Sequence, residues 1–269
     1  MEKEKFYYFE SHCHPDHPLV EDKSLYMQEA KNAGVKYLVV APITYESNYS
    51  SLELFPKSDY PNVLFAKGLH PKYAYNIAMW DNKTKEEFCN MLESDKRIAA
   101  LKSGIDLCKK NLQPNQINRE FEFLSLFNEL AYKYKKPLVL HIRDAAEETL
   151  DFFKENPLKV PAEFHCFNYD KKTMERYIEA GVRYFGIGGK VTLDESIDLQ
   201  DAVSQMDLSM LLLESDAPFV KVKGETEKIN TTARALPAVA EKIAELKGLT
   251  PEEVIRISYL NACRFFGIK

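Results

Sequence analysis

No run of the 269-residue sequence approaches the roughly 18 apolar residues that a membrane-spanning helix needs. Nor does the opening segment, MEKEKFYYFE, carry the apolar core and small-residue cleavage site of a signal peptide. No Cys-x-x-Cys pair marks a structural zinc site. The five cysteines, Cys13, Cys89, Cys108, Cys166 and Cys263, are odd in number and scattered. Without an export signal they read as reduced thiols in a cytoplasmic protein. Glycine and proline are sparse, at 10 and 13 residues, which excludes collagenous and low-complexity chains. An excess of positive charge is also missing: 36 Lys and Arg face 41 Asp and Glu, a net charge of −5. A general duplex-DNA binder carries a basic balance. Any contact with nucleic acid here has to be local, such as one phosphate group in a pocket, with metal ions supplying the positive charge.

What is present is a regular alternation. Eight short apolar runs, rich in β-branched and aromatic residues, fall at 6–12, 36–43, 62–69, 97–105, 137–142, 161–167, 183–188 and 210–216. Between them lie helical patterns near 22–33, 84–94, 145–155, 171–180 and 195–206. The clearest spans 118–135, where Phe121, Leu124, Phe127, Leu130, Ala131 and Tyr134 recur every three or four residues. Segments 236–247 and 251–266 read as closing helices, the second with Thr250 as N-cap and Pro251 in the first helical position. Strand–helix alternation with near-continuous apolar strands means a parallel sheet covered on both faces. Eight units predict a (β/α)8 barrel, a single α/β domain over 1–269; a doubly wound open sheet is the alternative. Linkers and internal repeats are absent.

A barrel of this kind keeps its chemistry at the C-terminal ends of its strands, and the histidines fall there. His12 and His14 end the first run, His70 the third, His141 the fifth and His165 the sixth. Lys102 lies at the end of the fourth and Asp216 closes the eighth. In an extended strand, residues i and i+2 share a face, so the imidazoles of His12 and His14 can reach one point. Two imidazoles at that spacing suit a zinc-like ion. Converging with His141, His165 and Asp216, they make a divalent metal site the reading of choice. His70, followed by Pro71, is a candidate sixth ligand or a residue that supports the ligands, and reads foremost as a substrate or phosphate contact; His17 reads as a solvated loop residue.

These segments resemble the TatD family of metal-dependent hydrolases, within the amidohydrolase superfamily. ESHCHPD (10–16), GLHP (68–71), LHIRDA (140–145), FHCF (164–167) and LLESDAP (212–218) follow in the family's order, and 236–254 and 261–267 look like its tail. The resemblance implies a barrel holding one to three divalent ions, with His12, His14, His141, His165 and Asp216 as ligands; one or two ions of Zn, Mn or Mg per chain are expected. It also implies phosphodiester hydrolysis, usually as a deoxyribonuclease acting on DNA ends. Two departures stand out. INTTARA (229–235) lacks the arginine, glutamate and proline of the family's R-N-E-P segment, keeping only Asn230. ALKSGID (100–106) places Lys102 where the family has a metal-bridging glutamate. A plain ammonium ~4 Å from a divalent ion would cost about 4 kcal/mol per like-charge pair at an effective dielectric of ~20. Either Lys102 reacts with carbon dioxide to give a bridging carbamate, or it replaces the second metal and leaves one ion, or the site is inert.

The expected mechanism is attack by metal-activated water, with Asp216 ligating the metal and taking the proton. Glu214, two residues earlier, shares the inward face if the strand stays regular and is a candidate for supporting a metal ligand or for binding substrate. Arg143, two residues after His141, is a candidate phosphate contact. Lys109, Lys110, Lys221, Lys223 and Lys228 would rim the mouth. Hydrolysis of an ester, lactone, amide or aminoacyl ester through a carboxylated Lys102 is the alternative, and a non-catalytic metal- or nucleotide-binding relic is the third reading.

Overall fold

A computed structural model describes residues 6–74, 80–109, 112–227 and 230–269. Among them, eight strands form one sheet in chain order: β1 (Tyr8–Cys13), β2 (Val35–Val40), β3 (Val63–Gly68), β4 (Ile98–Asp106), β5 (Leu138–Arg143), β6 (Ala162–His165), β7 (Val182–Ile187) and β8 (Leu211–Leu213). The pairings of β1 with β2, β3 with β4, β4 with β5 and β7 with β8 are parallel. Backbone hydrogen bonds tie the two ends of that order: Asp216 N–H donates to the His12 carbonyl at 2.9 Å, and His14 N–H to the Ala217 carbonyl at 2.7 Å. The fold is the (β/α)8 barrel that the alternation predicts.

Ten α-helices accompany the strands among the described residues: α1 (Lys23–Asn32), α2 (Tyr45–Leu54), α3 (Pro71–Ala74), α4 (Asn82–Ser94), α5 (Pro114–Tyr134), α6 (Ala146–Glu155), α7 (Lys171–Glu179), α8 (Ile197–Gln205), α9 (Thr232–Lys247) and α10 (Pro251–Phe266). Their ends carry the signals read in the sequence. Thr250 and Glu253 form a capping box ahead of α10, which stops at Gly267 in the left-handed region, φ 70°. None of the helices is long and apolar enough to cross a membrane.

Helix α2 does not show in the apolar pattern because its buried face is polar. Asn48 and Ser51 are fully buried. The Asn48 amide accepts from Gly68 N–H at 2.9 Å and donates to the Gly68 carbonyl at 2.7 Å, so it pairs with β3 as a neighbouring strand would. Buried Lys67 donates to the Asn48 carbonyl at 2.6 Å and to Ser51 Oγ at 2.5 Å, which satisfies its ammonium.

The chain divides into two compact units. One holds the residues up to Val40, His165–Arg176 and Tyr184–Lys269; the other holds Ala41–Phe164 and Tyr177–Arg183. In the first, Phe9 on β1 stacks on Phe266 of α10 (centroids 5.4 Å apart, planes within 9°) and meets Tyr259 edge-on. In the second, Trp80, Phe88, Phe123 and Phe127 form an aromatic cluster with centroids 5.4–6.4 Å apart that packs α4 against α5.

Candidate metal centre

In the first unit, strand alternation sorts β1 as expected. Phe9, Ser11 and Cys13 take one face; Glu10 and His12 take the other, continued by His14 just past the strand end. All six are buried. His12, His14 and Asp216 bring one donor atom each within 4.8 Å of one another, and His12, His165 and Glu214 do the same. His14 Nε2 lies 3.1 Å from Asp216 Oδ1. The His12 and His165 rings stack face to face, with centroids 3.8 Å apart and planes within 7°.

β8 is shorter than the run that announces it. It ends at Leu213, so Glu214 and Asp216 lie beyond the strand and strand alternation does not orient them. Asp216 adopts φ 46° and Cys166, just after β6, φ 51°. Non-glycine residues held in the left-handed region are uncommon and cost of order 1 kcal/mol or more. The turn at Asp216 swings its carboxylate onto His14, whereas Glu214 turns to His165 (3.7 Å) and accepts the Cys166 N–H at 2.7 Å. Glu214, a candidate for substrate binding from its position, is fully buried beside two imidazoles.

Beneath the histidines sits a carboxylate that the sequence reading passed over. Glu10 Oε1 accepts the backbone N–H groups of His12 (3.1 Å) and Ser215 (2.9 Å), and Oε2 accepts the Thr232 hydroxyl (2.9 Å). Thr232 Oγ1 is 2.6 Å from the Tyr26 hydroxyl. Burial pushes the Glu10 carboxyl up to about 7, against the pull of these hydrogen bonds. Its signal was the same alternation that pairs His12 with His14: Glu10 precedes them on the same face.

In the second unit, Lys102 is not at a strand end. β4 extends through Asp106, which leaves Lys102 in mid-strand and fully buried, on the same face as Gly104 and Asp106. Asp106 is the residue that ends the strand, and it meets His141 and His70. Burial alone would raise its carboxyl, but hydrogen bonds from His141 and Cys108 hold it well below the ordinary carboxylate range. Gly104 allows this meeting. A Cβ there would lie 1.8 Å from the His141 carbonyl oxygen, so only glycine lets β4 and β5 approach at this register. Glu120 of α5 accepts the Asp106 N–H at 2.8 Å, and burial raises its carboxyl to about 7. Asp106 closes the ALKSGID segment, and its place two residues beyond Gly104 on the same strand face was the available signal.

Arg143 is exposed at the end of β5. His17 is half-buried, its ring 4.9 Å from exposed Phe219, which also meets His14 edge-on at 5.2 Å. Lys109 and Lys221 are exposed, and Lys223 pairs with Asp194 at 2.6 Å. Lys110 and Lys228 lie outside the described residues. Asn230 is fully buried: it donates to the Val220 carbonyl at 2.6 Å and accepts the Thr231 N–H at 2.8 Å, holding the loop after β8.

The first unit's donor set fits a divalent ion. Imidazole nitrogens with one or two carboxylates are what zinc and its first-row neighbours take. His14 Nδ1 is buried and has no hydrogen-bond partner among the described residues. Leaving such an atom unanswered costs about 1–3 kcal/mol.

Comparison with known proteins agrees. The family described as TatD related DNase matches residues 9–267. The uncharacterized metal-dependent hydrolase YcfH of Escherichia coli (strain K12) is 27% identical over 264 residues, 96% of this chain and 95% of the relative. An uncharacterized metal-dependent hydrolase of Mycoplasma pneumoniae is 28% identical over 265 residues, 96% of this chain and 99% of the relative. Among solved structures, the TatD homologue YjjV of Escherichia coli K12 superposes with a TM-score of 0.83 at 24% identity, covering 97% of this chain and 98% of that one. A TatD family hydrolase of Entamoeba histolytica gives 0.80 at 16% identity, covering 99% and 100%. At these identities the structural likeness speaks for the fold; the family follows from the match along the sequence. The chain belongs to the TatD-related DNase family of metal-dependent hydrolases.

Proposed function

We propose that this chain, acting as one domain over 1–269, is a divalent-metal-dependent phosphodiesterase of the deoxyribonuclease type that cleaves DNA. The observation that carries the reading is the convergence of His12, His14 and Asp216 at the junction of β1 and β8, in a chain whose family is described by DNA hydrolysis. His12, His14 and Asp216 would hold the ion, with His165 and Glu214 contributing through His12. When bound there, a divalent ion would supply the polarisation of a phosphoryl oxygen and the lowering of a water's pKa toward ~7. The chain's own residues then have defined tasks. Asp216, held beside His14 by its left-handed turn, accepts the proton of the attacking water. Glu10 keeps the His12 and Ser215 backbones in register. Phe219, exposed beside His14, offers an apolar surface at the rim for a base or sugar. All five cysteines are free, which supports the cytoplasm as its compartment.

The test is release of nucleotides from single-stranded DNA by chelator-stripped protein reloaded with Mn²⁺, Mg²⁺, Zn²⁺ or Co²⁺. Turnover that requires metal and disappears in Asp216→Ala supports the reading. Wild-type turnover in Asp216→Ala would sink it.

A second reading is favoured by the complete burial of Lys102. A lysine that has given up its ammonium proton can add to carbon dioxide with loss of a second proton, giving a carbamate that serves as a carboxylate ligand. Hydrolysis of simple esters or lactones that rises with added bicarbonate, with DNA left intact, would establish this alternative.

A further inference from the structure

His70, Asp106 and His141 come together at the ends of three consecutive strands of the second unit. His141 Nε2 is 3.2 Å from Asp106 Oδ2, and His70 Nε2 is 4.0 Å from the same oxygen. The two imidazoles are 4.1 Å apart, inclined at 53°. One donor atom from each residue lies within 4.8 Å of the other two. We infer that these three residues form a second divalent-metal site, a two-histidine, one-carboxylate set with no ligand in common with His12, His14 and Asp216.

Distances set the first part of the argument. Donors ~2.0–2.1 Å from a tetrahedral ion stand about 3.3 Å apart, and cis donors of an octahedral ion about 3 Å apart. The His141–Asp106 separation of 3.2 Å already equals such an edge. His70, at 4.0 Å, has to close by roughly 0.7 Å, within the freedom of a half-buried side chain on a short connection.

The surroundings aim the donors. Asp106 Oδ1 is occupied by the Cys108 N–H at 3.1 Å, which leaves Oδ2 turned to both imidazoles. The Asp106 backbone is held by Glu120 and the His141 backbone by the close approach at Gly104. His70 N–H donates to the Ile43 carbonyl at 3.2 Å. Such outer partners orient the ligands of metal sites. The side chains of His70 and His141 keep 12% and 14% exposure, so water or substrate has access to the positions that three protein ligands leave open. Two imidazoles and one carboxylate suit Zn²⁺, Mn²⁺, Fe²⁺ or Co²⁺.

Lys102 gives the arrangement its meaning for this chain. It stands where the family's bridging glutamate belongs, so a second ion cannot be held there by a side-chain carboxylate. The carboxylate four residues further along the same face of β4 is Asp106. The alternative is a purely hydrogen-bonded cluster in which one carboxylate oxygen accepts from both imidazoles.

Cobalt binding to the full chain separates the two. Chelator-stripped protein is titrated with Co²⁺, followed by its visible d–d absorption and by elemental analysis. The His12→Ala/His14→Ala variant should keep one equivalent. Adding His70→Ala should weaken that equivalent more than about 100-fold, beyond the loss expected for an outer-shell partner. Asp106→Asn should do the same. Should the double variant fail to fold by circular dichroism, His70→Ala alone decides: loss of one equivalent against wild type supports the site, and unchanged stoichiometry overturns it. A His12→Ala/His14→Ala protein that folds and binds no Co²⁺ also overturns it. Binding that survives His12→Ala/His14→Ala unchanged yet falls with His70→Ala would leave this site standing while removing the metal centre on which hydrolysis is proposed to rest.

Discussion

His14 and Asp216 are joined twice. Their side chains meet at 3.1 Å, and the segments that carry them exchange backbone hydrogen bonds, Asp216 N–H to the His12 carbonyl at 2.9 Å and His14 N–H to the Ala217 carbonyl at 2.7 Å. The carboxylate is therefore placed by the backbone whatever its charge. Asp216→Asn should keep the fold and its melting temperature within a few degrees while lowering metal-dependent hydrolysis at least about 1,000-fold. Circular dichroism and turnover on single-stranded DNA check this. Activity within tenfold of wild type would remove Asp216 from the chemistry.

Lys102 makes a distinct prediction about metal content. If the buried amine is carboxylated, protein purified with bicarbonate should hold more metal per chain than Lys102→Ala, and acidification that discharges carbon dioxide should lower it. Elemental analysis of the two proteins gives the answer. Equal metal content in both means the lysine contributes no ligand and the ester-hydrolysis reading loses its support.

Gly104 is required by a backbone contact rather than by chain flexibility. A Cβ would fall 1.8 Å from the His141 carbonyl oxygen, 2.6 Å from its carbonyl carbon and 2.7 Å from its nitrogen. All three are backbone atoms that cannot rotate away. Gly104→Ala should therefore cost more than about 2 kcal/mol in urea denaturation. It should also disturb His141. Stability within 0.5 kcal/mol of wild type would mean β4 and β5 can part locally.

Asp95 and Arg97 set a pH dependence remote from the histidines. Arg97 donates through Nε and Nη2 to the Asp95 carboxylate, with Nη2 at 2.7 Å, and through Nη1 to the Phe55 carbonyl at 2.7 Å. Burial alone would raise the Asp95 carboxyl; the guanidinium's hydrogen bonds outweigh it and hold the folded-state value below the ordinary one. The stabilisation is thus present above the unfolded-state value of about 3.9 and is lost as pH falls through the lower folded-state value. Asp95→Asn should destabilise the protein at pH 7 by about 1–3 kcal/mol and show less acid sensitivity below about pH 4. Melting temperatures at pH 3 and pH 7 test this; an equal loss at both would exclude the ion pair as its origin.

The sequence by itself determined what repeats along the chain. Runs of apolar β-branched and aromatic residues placed eight strands within a few residues of their ends, and caps such as Thr250 and Pro251 placed helices, because these signals depend on neighbours one to four positions away. The same local rule put His12 and His14 on one face of β1, and it held Glu10 and Asp106 in view without marking their importance. Helix α2 escaped because Asn48 and Ser51 bury hydrogen bonds where an apolar stripe would ordinarily be.

Tertiary structure decided the partnerships. That Asp216 faces His14 while Glu214 faces His165 follows from a left-handed turn beyond the end of β8, where alternation no longer applies. That His141 meets Asp106 and His70 follows from the parallel register at Gly104 and His141. Which strand ends meet depends on strand order, register and where each strand stops, and these are fixed by packing between residues tens to hundreds of positions apart, which no local periodicity records.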